Sequence, residues 1–109
     1  MEKKSIPASE VTQIIFACEA GVGSSLMGVN MLKRKLKKAG IKVKVFHKPA
    51  RQIPADTKVV VVHKGMANLT RKRAPNAVVI AFTHFLNDPV FDKLVKAFKE
   101  EDGVITETG

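Results

Sequence analysis

Tryptophan and tyrosine are absent from this chain, and cysteine occurs once, as Cys18. A lone cysteine cannot close an intramolecular disulfide or build a cysteine-based metal site, so its thiol is left for chemistry and a reducing compartment is expected. No apolar run reaches the ~20 residues of a membrane-spanning helix, and residues 1–12 lack the apolar centre of a secretory signal. The chain therefore reads as soluble and cytoplasmic. Acidic residues are scarce: 10 Asp and Glu stand against 19 Lys and Arg, for a net charge of +9. That excess invites a nucleic-acid reading. Yet tyrosine and tryptophan are missing and the cations fall mainly at Lys33, Arg34, Lys35, Lys37, Lys38 and at Arg71, Lys72, Arg73, a pattern that suits solvated helix faces or a surface for an acidic or phosphate-bearing partner. No nucleic-acid partner is expected. At 109 residues and 45% hydrophobic composition the chain can pack one core and not two.

What is present is a strand-helix alternation. Ile14 to Ala17 is a short apolar run that stops at a glycine cluster, as a strand buried on both faces does. From Ser24 to Ala39, Leu26, Val29, Leu32 and Leu36 recur at helical spacing opposite the lysines, and Gly40 stops the helix. Lys42 to Phe46 alternates polar and apolar residues like an edge strand. Lys58 to His63, with four consecutive valines, reads as a central parallel strand, and a short helix over 67–73 ends before Pro75. Ala77 to Phe82 supplies a fourth strand. Asn87, Asp88 and Pro89 then start a last helix that buries Val90, Phe91, Leu94, Val95 and Phe98. The expected fold is α/β: a single open four-stranded parallel sheet, order 2-1-3-4 along the predicted strands, with helices on both faces. Residues 1–11 read as a flexible tail or linker, 12–102 as the domain, and 103–109 as a second flexible tail.

Order 2-1-3-4 places a topological switch point between the first and third predicted strands, where ligands bind at the carboxyl edge. Cys18 ends the first of these strands, and Glu19, Ala20, Gly21, Val22, Gly23, Ser24 and Ser25 lead from it into the first helix. Gly21 and Gly23 permit backbone angles that turn successive N–H groups inward as an anion nest, and the helix N-terminus adds partial positive charge. A thiol at such a place is held more in its thiolate form, which attacks phosphorus or another electrophile. Ser24 and Ser25 can cap the helix and donate to phosphate oxygens. The alternative is a tight strand-to-helix turn around a buried structural cysteine, with the serines as caps; the convergence of glycines, serines and cysteine on one helix start tells against it.

The segment Ala17-Cys18-Glu19-Ala20-Gly21-Val22-Gly23-Ser24-Ser25-Leu26-Met27-Gly28 resembles the mannitol-type enzyme IIB domain of the bacterial phosphoenolpyruvate-dependent sugar phosphotransferase system, whose pattern is A-C-D-A-G-M-G-S-S-x-M-G. The likeness continues through Leu32-Lys33-Arg34-Lys35, the strand ending in His63, Pro75-Asn76-Ala77 and Phe85-Leu86. Glu19 and Val22 depart from the pattern without removing nucleophile, glycines or serines. The resemblance implies a phosphocysteine carrier over 12–102. A IIA phosphohistidine would donate to Cys18, which would pass the group to a sugar, mannitol or another hexitol, bound by a membrane IIC component in the same or a separate polypeptide. It implies a place in the cytoplasm or at the cytoplasmic face of the inner membrane. No metal or organic cofactor is called for.

Two other readings share the loop. A low-molecular-weight cysteine phosphatase has a loop of the same length, C-x5-R-[ST], but Ser24 stands where its phosphate-clamping arginine would be. Asp88 before Pro89 matches the general acid of those enzymes and equally well a helix cap. A IIB-like module of a sugar-responsive transcription regulator would carry the loop unchanged. Among the histidines, His63 ends a strand beside the switch point and is the candidate auxiliary group, to hydrogen-bond phosphate or tune the thiolate. His84 lies on the same edge, and His47 follows an edge strand.

Overall fold

In the computed structural model the described residues are 4–18, 24–83, 89–100 and 103–107. They form β1 (Ser5–Pro7), β2 (Gln13–Cys18), α1 (Ser24–Lys38), β3 (Lys44–Pro49), β4 (Val59–His63), α2 (Ala67–Arg73), β5 (Val78–Phe82), α3 (Pro89–Lys99) and β6 (Val104–Thr106). The main sheet runs β3-β2-β4-β5, all parallel, which is the expected 2-1-3-4 order of the strands within it.

The valine run of β4 explains its central place. Val59 and Val61 pack with Val29, Leu32 and Leu36 of α1 and with Phe91 and Leu94 of α3. Val60 and Val62 turn the other way, toward Ile15, Ile53 and Ala67. All four valines are fully buried, and each such side chain removed from water stabilises the fold by roughly 1.5–3 kcal/mol. The sheet is thus covered on both faces, by α1 and α3 on one and by α2 with the 50–53 segment on the other. Phe16, Phe82 and Phe91 make the aromatic centre of the first face, with centroids 5.4 Å apart for Phe16–Phe82 and Phe82–Phe91 and 6.4 Å for Phe16–Phe91.

At the sheet edge, β3 buries Val45 and exposes Lys44 and Phe46. It starts two residues later than the alternation suggests and runs on to Pro49, whose missing N–H is harmless at a strand end on an edge. α1 stops as its sequence demands: Gly40 takes φ +74°, the Gly40 N–H donates to the Lys37 carbonyl at 3.0 Å and the Ile41 N–H to the Leu36 carbonyl at 2.9 Å. This is a Schellman cap.

The tail expectations need correction. Within 1–11 and 103–109, β1 and β6 pair antiparallel, with Ile6 opposite Ile105. The Ala8 N–H donates to the Gly103 carbonyl at 2.9 Å, and the Glu107 N–H donates to the Lys4 carbonyl at 2.8 Å. Ala8, Val11 and Ile105 belong to the core under α1 and α3. Three-residue strands, one containing Pro7, carry too little periodicity to be read locally, and each exists only because the other end of the chain supplies its hydrogen bonds. No described helix is long and apolar enough to cross a membrane.

Candidate functional site

The chain leaves β2 at Cys18, forms α1, returns in β3 on one side of β2, and then crosses to β4 on the other side. The switch point therefore lies at the carboxyl edge between β2 and β4, where two crossovers depart in opposite directions and leave a crevice. Cys18 pairs with Pro49 of β3 in the strand register. On the other side Ile15 and Phe16 pair with Val60 and Val61. Carried two residues on, that register sets Cys18 level with His63, on strands about 4.8 Å apart. The two residues singled out for chemistry thus end neighbouring central strands.

Ser24 and Ser25 open α1. This helix has 15 residues, no Asp or Glu in its first turn, and Lys35, Lys37 and Lys38 in its last. The partial positive charge of its N-terminus is therefore not offset by carboxylates of its own first turn, while the lysines favour the opposite end. The described segments at this edge, 24–27, 48–52, 63–66 and Thr83, contain Lys48, Arg51 and Lys64 and no Asp or Glu. Helix end and side chains together make an edge suited to an anion. Glu19, Ala20, Gly21, Val22 and Gly23 of the loop lie outside the described residues, as do His84, Asn87 and Asp88. α3 begins at Pro89, as expected from the residue types.

His63 is half-buried and held from two directions. The Gly65 N–H donates to its Nδ1 at 3.1 Å, within the 3-10 turn Lys64–Met66 that leads into α2. The Phe82 ring, one strand over and in register with His63, meets the imidazole at 87° with 5.7 Å between centroids. Neither Gly65 nor Phe82 stands out in the sequence as part of a site. The only signal was indirect: a histidine ending a strand two residues before a glycine, at a point where the chain must turn. His47 lies on the exposed edge strand β3 and is not brought to the switch point.

The family model described as "PTS system, Lactose/Cellobiose specific IIB subunit" matches residues 13–102. The chain is also similar to curated proteins named "PTS system mannitol-specific EIICB component". To that of Geobacillus stearothermophilus it is 38% identical over 99 residues, covering 91% of this chain and 21% of the relative. For Bacillus subtilis the identity is 36% over 99 residues, with the same shares, 91% and 21%. For Staphylococcus saprophyticus it is 44% over 92 residues, or 84% of this chain and 18% of the relative. The chain spans about a fifth of the length of these relatives.

Proposed function

The chain belongs to the IIB family of the phosphotransferase system, and on that premise we propose that Cys18 carries a phosphoryl group from a IIA phosphohistidine to a sugar held by a IIC component. In the first step the Cys18 thiolate attacks phosphorus. An S–P bond forms, the N–P bond of the phosphohistidine breaks, and the leaving imidazole nitrogen keeps the electron pair. In the second, a sugar hydroxyl oxygen attacks phosphorus, the S–P bond breaks, the thiolate leaves, and the hydroxyl proton passes to a base or to water.

One observation carries this reading: Cys18 ends a central strand at the switch point, and the next described residue, Ser24, opens a 15-residue helix whose first turn lacks carboxylates. Phosphoryl transfer asks mainly for in-line placement and for donors that spread the developing charge, and the residue types Gly21, Gly23, Ser24 and Ser25 suit backbone and hydroxyl donation without a metal. The family belongs to a system that serves several sugars. Relatives named for mannitol favour mannitol or another hexitol as the acceptor, and the IIC part of those relatives' names supports IIC as the acceptor's holder, in the same polypeptide or a separate one.

The test is a sugar panel with phosphorylated IIA and, in parallel, a mannitol IIC component and a lactose or cellobiose IIC component. Mannitol phosphate should form with wild-type protein and not with Cys18→Ala. Formation of a lactose or cellobiose phosphate instead would assign a different sugar, and product formation by Cys18→Ala would remove Cys18 from the pathway.

A further inference from the structure

We infer that His63 serves the Cys18 phosphoryl group as a neutral hydrogen-bond donor through Nε2, and that the backbone N–H of Gly65 positions it for that task. The inference rests on the reading of Cys18 as the phosphoryl carrier. A neutral imidazole has one nitrogen that donates and one that accepts. Nδ1 accepts the Gly65 N–H at 3.1 Å, so its lone pair is engaged and the ring proton of the neutral form resides on Nε2. A ring with protons on both nitrogens cannot accept this bond.

The assignment separates the two roles open to a histidine at this place. A general base needs a lone pair toward the thiol, but Nδ1 has committed its own to the Gly65 amide and Nε2 holds the proton. A donor suits the acceptor-only oxygens of a phosphoryl group, and charge-assisted bonds of that kind are among the stronger ones. Cys18 and His63 end adjacent strands at the same level by extension of the Phe16–Val61 register, so donor and phosphoryl group share one edge. His63 keeps its proton throughout.

Gly65 is a positioning residue for two reasons. Its amide belongs to the backbone of a turn continuous with α2, so unlike a side-chain donor it has no rotamer to leave by. A Cβ added there would also lie 3.3 Å from Nδ1 and 3.8 Å from Cε1 of the His63 ring, so a larger residue would press on the imidazole that the amide holds. Phe82, 1% exposed and wedged between Phe16 and Phe91, fixes the plane of the ring from the other side.

Heteronuclear NMR of the histidine ring nitrogens tests the tautomer directly in the wild-type chain. His63 should show the Nε2–H form, and its Nε2–H resonance should shift when Cys18 is phosphorylated. Transfer rates from phosphorylated IIA test the role. His63→Gln, whose amide nitrogen falls near the place of Nε2, should stay within about threefold of wild type, whereas His63→Asn, with its amide nearer Nδ1, and His63→Ala should each lose about ten- to a hundredfold, the loss of one hydrogen bond to a charged group. Gly65→Ala should slow transfer and mix the tautomers. An Nδ1–H tautomer, a glutamine variant no better than alanine, or an alanine variant at the wild-type rate would overturn the inference. If wild-type Cys18 takes no label at all, the carrier reading itself fails; normal labelling with any of those three results overturns only the role of His63.

Discussion

Ile6 and Ile105 stand opposite each other in an antiparallel pair that joins the two ends of the described chain. Ile105 is 2% exposed and lies in the same core as Phe91 and Leu94 of α3, so the pair is an integral wall of the domain and not an appendage.

Truncating that wall should therefore be costly. Ile105→Ala is expected to destabilise the protein by about 2–5 kcal/mol, the usual range for emptying a buried aliphatic site. Removing residues 1–7 should also lower the unfolding midpoint, since β6 then loses its only strand partner among the described residues. Urea unfolding measures both. A change below about 0.5 kcal/mol in each, as at ordinary surface positions, would restore the tail reading.

Gly103 is the narrowest point of the same region. A Cβ there would collide with the Ala97 carbonyl oxygen, which is backbone in α3 and cannot rotate away. Gly103→Ala is expected to cost about 1–3 kcal/mol, as overpacking does, by prising β6 from the helix. Thermal unfolding reads the effect, and a wild-type midpoint would show that the close approach is absent.

Salt bridges should matter far less. Lys35 Nζ lies 2.9 Å from an Asp92 carboxylate oxygen, joining α1 to α3, but the two side chains are 33% and 71% exposed. Solvent screening and the cost of ordering two flexible side chains leave such a pair within about 1 kcal/mol. Asp92→Asn should shift stability by no more than that, and any shift should shrink in high salt. A loss comparable with that of Ile105→Ala would contradict the dominance of apolar burial in this fold.

Charge should count instead in meeting the phosphoryl donor. Lys64 is exposed directly after His63. If an anionic donor approaches this edge, Lys64→Glu should raise the donor concentration needed for half-maximal transfer several-fold, with little change in the maximal rate. Steady-state transfer kinetics separate the two quantities. An unchanged half-saturation would place the approach elsewhere.

The parts of the fold that were legible in the sequence are those with long, consistent local patterns. The valine run Val59–Val62 favours a strand covered on both sides, and the spacing of Val29, Leu32 and Leu36 with Gly40 behind them marks a helix and its stop. β1 and β6 were not legible because neither has a pattern of its own: Ile6 and Ile105 become informative only once the chain ends meet. The site divides in the same way. Cys18, Ser24 and Ser25 announced themselves by clustering at one strand-to-helix junction, and His63 by ending a strand. The fixing of His63 by Gly65 and Phe82 depends on a 3-10 turn and on the register of β4 with β5, both products of tertiary structure.

The central claim is that Cys18 carries the phosphoryl group, and the most direct measurement is labelling by phosphorylated IIA with the acceptor located by mass spectrometry. Wild-type protein should take up one phosphoryl group per chain on the Cys18 sulfur, release it when IIC and sugar are added, and take up none as Cys18→Ser. Equal labelling of Cys18→Ser, or a label found on another residue of the wild-type chain, would contradict that claim.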